Sequence, residues 1–315
     1  MKEFTIQPND AGQRLDKFLT KAAPNLPQAL LYKAIRTKNV KVNGKRGLMD
    51  TRLAEGDVVA VYLKDEFFTP RADGMDFLSA PRALNIAYED DNLLVLDKPA
   101  GLLSHADGTQ FVDTLIARVL RYLYEAGQYD PKAEQSFAPA LVNRIDRNTG
   151  GLVIAAKNAQ TLRILNEKMK AREIKKEYLC VLSAAPKPPQ GILEGYLEKD
   201  SESNTVRVFR EDGVNRKAIR TKYQLLSEKD GRALVQVELL TGRTHQIRAH
   251  FAAIGCPLVG DGKYGRLAGE KKQLLYSFRL TFDFASDAGE LNYLKGTQVQ
   301  AREVWFARGF SGGDF

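Results

Sequence analysis

The stretch Leu141-Val142-Asn143-Arg144-Ile145-Asp146-Arg147-Asn148-Thr149-Gly150-Gly151-Leu152-Val153-Ile154-Ala155-Ala156-Lys157 sets a single carboxylate, Asp146, between Arg144 and Arg147. A turn-forming Asn-Thr-Gly-Gly follows, and then the apolar run Leu152 to Ala156. Such a run, bounded by turn residues, predicts a buried strand. Gly150 and Gly151 let the backbone turn or approach a neighbour without a Cβ in the way. An acid on a loop against a core strand, with guanidinium groups beside it, stays ionised. Taken alone, the plainer reading is a surface salt bridge at a strand entrance. The rest of the chain reverses that preference.

At 315 residues the chain exceeds one typical core, so two domains are expected. The hydrophobic fraction, 43%, is that of a soluble globular protein, and no stretch approaches a membrane span. Met1 to Pro8 lacks the apolar core of a signal peptide. Cys180 and Cys256 are the only cysteines and have no CxxC spacing, which argues against a disulfide framework or a cysteine zinc site. A reducing cytoplasm is the expected location. The net charge of +8 points to a polyanionic partner.

That charge is concentrated. Gly12 to Lys64 holds eleven Lys/Arg against four Asp/Glu, a local balance of +7. Leu15, Phe18 and Leu19 have helical spacing, and a second run carries Leu30, Leu31, Ala34 and Ile35 inward with Lys33, Arg36 and Lys38 on its other face. Val40-Lys41-Val42-Asn43-Gly44 predicts a strand and turn, and Val58 to Leu63 another strand. Basic residues on one face can follow a phosphate backbone, although an ordinary solvated face looks the same. The stretch 65–82, with Pro70, Gly74 and Pro81, reads as a linker.

A larger domain is expected over 83–311. Leu84 to Tyr88 and Leu93 to Asp97 predict strands, and Lys98-Pro99-Ala100-Gly101 a constrained loop. Val112, Leu115, Ile116, Val119, Leu120 and Leu123 form a helical core stripe stopped by Gly127, and Leu162, Leu165 and Met169 mark a further helix. Glu177 to Ser183, Thr205 to Phe209, Ala218 to Leu226, Ala233 to Leu240 and Gln273 to Phe284 read as strands. Strands grouped in this way predict an α+β fold: a small N-terminal α/β unit plus a larger domain on a mostly antiparallel mixed sheet with flanking helices.

Two other stretches carry chemistry. Lys175-Lys176 precedes Tyr178, and lysines can meet phosphate while a tyrosine face stacks on a base, though most strand tyrosines simply pack. Leu240-Thr241-Gly242-Arg243-Thr244-His245-Gln246-Ile247-Arg248-Ala249-His250 joins a strand to a helix, with Thr244 as the expected N-cap. His245 and His250 are five apart and off the zinc-binding spacing of four, so no metal site is expected, and His250 reads as a satisfied half-core histidine. No phosphate-binding lysine loop or dinucleotide glycine pattern is present, so no nucleotide cofactor is expected.

Two resemblances sharpen this reading. Gly12 to Lys64, from Arg-Leu-Asp through Val-Lys-Val-Asn-Gly to Gly-Asp-Val-Val, resembles the S-four-like RNA-binding domain of a small-subunit ribosomal protein and several RNA-modifying enzymes. Asn143 to Leu152, Lys-Glu-Tyr178 and Gly242 to His250, with Tyr88 to Asp91 and Leu96 to Leu102, together resemble the RluA-type pseudouridine synthases over about Leu84 to Phe306. That resemblance implies Asp146 as catalytic carboxylate, Tyr178 against the target base and Arg248 as partner of the aspartate, ahead of Arg243. It also implies RNA contacts at Arg144, Arg243, His245 and Lys98, with Arg14, Lys33, Arg36, Lys38 and Lys41 in the N-terminal unit. Two departures stand out: Asn143 where the family usually has histidine, and Gly150 where it usually has serine.

The implied activity is isomerisation of uridines to pseudouridine, with large-subunit ribosomal RNA as the expected substrate and pre-ribosomal particles as a further partner. The implied enzyme is monomeric, without cofactor, metal or membrane attachment. The competing classes are a non-catalytic RNA-binding or ribosome-assembly protein that retains the fold, and a glycoside hydrolase. The last is disfavoured because no second acid shares the surroundings of Asp146.

Overall fold

The computed structural model describes residues 1–68, 75–107, 112–200, 203, 205–265 and 272–310. The middle of the 65–82 linker, with Pro70 and Gly74, lies outside them. Chain order begins with β1 (Lys2–Thr5), α1 (Leu15–Ala22), α2 (Gln28–Arg36), β2 (Val40–Val42), β3 (Lys45–Arg46) and β4 (Val58–Val61). These strands form a sheet of order β1-β4-β2-β3. Asn43 and Gly44 both have positive φ, 50° and 75°, the geometry a two-residue hairpin between β2 and β3 requires. Leu15, Phe18 and Leu19 of α1 and Leu31, Ala34 and Ile35 of α2 close over Phe4, Val40, Val59 and Val61. Two expectations change. The sheet starts at Lys2, ahead of Gly12, and Leu30 is 42% exposed because the buried stripe of α2 runs through its neighbours.

The larger sheet uses β5 (Ile86–Glu89), β6 (Leu93–Lys98), β7 (Ala140–Leu141), β8 (Gly150–Ala156), β9 (Ile174–Leu182), β10 (Gln190–Asp200), β11 (Thr205–Phe209), β12 (Lys217–Lys229), β13 (Arg232–Leu239), β14 (Leu275–Phe282) and β15 (Gln298–Gln300). Its order is β11-β10-β12-β13-β9-β14-β8-β6-β5, with β15 on β14 and β7 on β8. Only the β8–β14 pairing is parallel among the described residues. Among the described residues the larger domain's α-helices are α3 (Leu115–Glu125), α4 (Ala159–Ala171) and α5 (Gln246–Ala253). The α+β class and the mostly antiparallel mixed sheet are therefore as expected. No helix among the described residues is long and apolar enough to cross a membrane.

Strand β8 is buried along its whole length because both faces are covered. Val153 and Ala155 meet α3 and α5 in one core, whereas Leu152 and Ile154 meet Leu165 of α4 and Phe282 in the other. Close packing explains its two glycines. A Cβ at Gly151 (φ 111°) would lie 2.1 Å from the Ser277 carbonyl oxygen, and one at Gly150 would lie 2.5 Å from the Tyr276 ring. Glycine at 150, where the family usually has serine, thus matches the position of Tyr276. Helix α3 begins later than the stripe suggested: Thr114 caps it through Ala117 N, and Val112 is 49% exposed.

The two units touch through polar groups. Asn9 Nδ2 donates to Glu134 Oε1 (2.7 Å) and Gln13 Nε2 to Ser136 Oγ (2.8 Å), while Asn9 Oδ1 accepts from Ala159 N (3.1 Å). Beyond 65–68, Phe77 and Ala80 pack on Ala117 of α3, so the second half of the linker belongs to the larger domain's surface.

Candidate active site

Asp146 lies on the turn that enters β8, and three backbone carbonyls hold that turn. Ile145 O accepts from Ser104 Oγ (3.1 Å), Asp146 O from Thr149 N (3.1 Å), and Arg147 O from Gly101 N (2.8 Å). Lys98 completes the brace: its Nζ donates to the carbonyls of Pro99 (3.1 Å), Leu102 (2.7 Å) and Arg147 (3.1 Å). This corrects its expected role. Lys98 is fully buried and faces no solvent, so it ties the Pro99–Leu102 loop to the Asp146 turn instead of touching RNA. Burial pulls its pKa down to about 7, and the nearby Asp146 carboxylate opposes that shift.

Arg248, at the third position of α5, reaches Asp146: Nη1 donates to Oδ2 at 2.9 Å. Its other side is gripped by Asp261, which accepts from Nε into Oδ2 and from Nη2 into Oδ1, both at 2.8 Å. The Asp261 carboxylate also accepts from the backbone N–H groups of Lys263 and Tyr264. Burial would raise the Asp261 pKa, but Arg248 and these amides hold it below the ordinary value. Burial likewise opposes the charge on Arg248, and its bonds to Asp261 and Asp146 reverse that and raise its pKa. The guanidinium therefore stays charged while Nη1 is left free for Asp146.

A second acid does share the surroundings of Asp146, contrary to the sequence reading. Asp261 is nonetheless saturated with donors and its side chain is 0% exposed, so it is a support and not a reagent. It sits in Asp261-Gly262-Lys263-Tyr264-Gly265, which sequence reasoning passed over. An aspartate before glycine, capping its own turn, was the available signal.

His245 flanks the pair, with Nε2 at 3.7 Å from Asp146 Oδ2 and Nδ1 at 2.9 Å from the Tyr264 hydroxyl. Since that hydroxyl already accepts from Val206 N, it is available to donate to Nδ1. Burial lowers the pKa of His245, with Asp146 opposing. The helix start also departs from expectation. His245, in the left-handed region (φ 54°), is the N-cap in place of Thr244, and the Gln246 side chain takes over the bonding by accepting from Thr241 Oγ1 and Arg243 N. His250 is buried outright: Nδ1 meets Thr221 Oγ1 at 2.8 Å, Nε2 has no partner among the described residues, and burial pulls its pKa to about 4.

Asp146, Arg248, His245 and Tyr178 line one cavity of about 520 Å³, with Arg144 and Arg243 exposed at its rim. Tyr178 is 5% exposed on β9, and burial raises its pKa. Asn143 lines the same cavity. Its Oδ1 accepts from Ile154 N (2.8 Å), which ties the turn to β8, while its buried Nδ2 has no partner among the described residues. Elsewhere, Lys33, Arg36 and Lys38 are exposed on and after α2, and Lys41 Nζ lies 5.3 Å from the Tyr62 ring centroid. Arg14 is less available than expected, since Asp16 holds its Nε and Nη2 at 3.0 and 2.9 Å.

An acid with one guanidinium partner, a buried tyrosine and a basic rim suits chemistry on an anionic, aromatic substrate. The RNA pseudouridylate synthase family model matches residues 92–253, just over half of the chain, which belongs to that family. It is an RNA pseudouridine synthase, an isomerase. An uncharacterised RNA pseudouridine synthase of Mycoplasma capricolum is 29% identical over 311 residues, covering 98% of this chain and 100% of that one. Ribosomal large subunit pseudouridine synthase C of Rickettsia bellii is 33% identical over 264 residues, 81% of this chain and 83% of that one. In fold, the chain is similar to human RNA pseudouridylate synthase domain containing 1, with a TM-score of 0.55 and 23% identity over 70% of this chain and 84% of that one.

Proposed function

We propose that this enzyme isomerises uridines of large-subunit ribosomal RNA, with Asp146 as its catalytic carboxylate. The relatives named for ribosomal large-subunit modification support the substrate. The observation that carries the catalytic reading is the Asp146–Arg248 bond at 2.9 Å inside the cavity that Tyr178 walls.

The reaction breaks the N1–C1′ bond of uridine, turns the uracil, joins C5 to C1′, and moves a proton from C5 to N1. Electrons balance within the substrate, so the reaction consumes no oxidant or group donor. Asp146, hydrogen-bonded by Arg248, serves as nucleophile or proton-transfer group. Arg248 aims it, and Asp261 aims Arg248. The uridine must leave its stack to enter the cavity, where the Tyr178 ring supports the base. Arg144, Arg243 and His245 meet flanking RNA at the mouth.

The N-terminal unit, which begins at β1, acts as an S-four-like RNA-binding domain, using Lys33, Arg36, Lys38 and Lys41 on phosphates, with Arg14 in a lesser role. The synthase domain occupies 83–311. The enzyme works in the cytoplasm as a monomer, on ribosomal RNA or a pre-ribosomal particle. Mapping pseudouridines in ribosomal RNA from cells with and without the gene tests the substrate: loss at large-subunit positions supports it, and an unchanged large-subunit map rejects it.

A further inference from the structure

Lys176 lines the same cavity as Asp146 and Tyr178. Its Nζ has one polar contact, Met169 Sδ at 3.3 Å, and no carboxylate or carbonyl partner among the described residues. Three neighbouring cations are matched: Lys175 with Asp283 (2.7 Å), Lys168 with Glu173 (2.8 Å) and Arg279 with Glu177 (2.8 Å). A thioether is a weak acceptor, so a half-buried ammonium with only sulfur beside it is left short of hydrogen bonds and of counter-charge. Burial, and then the charge of Arg172, hold its pKa below the ordinary lysine value. An incoming anion relieves both deficits.

Register says where that anion lies. Lys176 and Tyr178 are two residues apart on β9, so their side chains leave the same face about 6.6 Å apart along the strand. With Tyr178 against the base, the ammonium stands one nucleotide's reach away, where the backbone of the same nucleotide passes. We propose that Lys176 is the phosphate-binding residue of the active site, taking a backbone phosphate that flanks the target uridine. This rests on the reading that Asp146 and Tyr178 frame that uridine.

The test uses the full chain and an RNA oligonucleotide substrate, comparing wild type with Lys176→Met and Lys176→Arg. Lys176→Met should weaken RNA binding roughly 10-fold, the scale of one charge-assisted contact. Its log Kd against log salt should be shallower by about 0.7. The single-turnover rate at saturating RNA should fall by less than the affinity does, and Lys176→Arg should restore most of the affinity and slope. The free Lys176→Met protein should melt higher at neutral pH, because an unmatched cation has left a half-buried site. A neutral methylphosphonate, placed in turn on either side of the target uridine, should weaken wild type at one position and leave Lys176→Met unaffected there.

Wild-type affinity and slope in Lys176→Met would overturn the proposal. So would a collapse of the saturated rate with affinity intact, which would put the ammonium on the departing uracil. Asp146→Asn separates the two readings. Turnover by that variant would sink the catalytic assignment, whereas the Lys176-dependent salt slope is read on binding alone.

Discussion

Asp261→Asn keeps the size of a side chain that is 0% exposed and changes only what its two ends can do. At present one oxygen accepts from Arg248 Nε, and the other from Arg248 Nη2 and the amides of Lys263 and Tyr264. Whichever way the amide turns, its NH2 confronts a donor, so the fork to Arg248 opens. Breaking a buried pair by removing one partner costs about 3–5 kcal/mol. Arg248 keeps Asp146, so the low end, about 3 kcal/mol, is expected. In a protein of this size that lowers Tm by roughly 4–5 °C. A guanidinium out of place by about 1 Å should slow single turnover on the order of 100-fold. Calorimetry and single-turnover isomerisation at saturating RNA read the two effects. Arg248→Met with Asp261→Leu supplies the control: apolar replacement of the pair should recover stability without recovering turnover. If Asp261→Asn turned over like wild type while Arg248→Met was inert, the claim that Asp261 aims Arg248 would fail.

Three further outcomes are expected. The folded pKa of Lys98, about 7, lies below its unfolded value, so between the two the unfolded chain binds the extra proton and stability climbs with pH. Lys98→Met should abolish that climb, worth at most about 1.4 kcal/mol per pH unit, and identical urea-melt profiles would contradict the assignment. Gly151→Ala should cost more than about 3 kcal/mol and part β8 from β14, because its Cβ has no room beside Ser277 O; a wild-type melting curve would show that the strands yield. A chain starting near Asp76 should fold, since water can replace the polar contacts of Glu134 and Ser136. It should bind RNA more weakly with a shallower salt slope and still isomerise uridine when saturated; a folded, saturated yet inert protein would make the N-terminal unit part of the active site.

What the sequence disclosed was local. Leu152 to Ala156 could be read as a core strand because both faces are covered, and Asn43-Gly44 as a turn because few residues tolerate two positive φ angles in succession. Strand β1 escaped notice because only Phe4 of its four residues is buried. Strand β10 escaped because Gln190 to Asp200 mixes Glu, Lys and Gly along a half-exposed ribbon. At the site, Asp146, Tyr178 and Arg248 rest on separate motifs that resemblance joined, whereas Asp261 and Tyr264 owe their roles to contacts across the fold. Lys98 misled for the opposite reason. A lysine beside a loop reads as a solvent-facing cation, and only the three converging carbonyls show that it is a brace.

The central claim is that Asp146 carries the chemistry, and one measurement meets it directly. Isomerisation expels the C5 hydrogen, so RNA tritiated at C5 of its uridines releases label as the new bond forms. Asp146→Asn should fold, bind the RNA and release no tritium under conditions where wild type completes a turnover. Release at a rate comparable to wild type, from folded and saturated Asp146→Asn, would contradict the assignment.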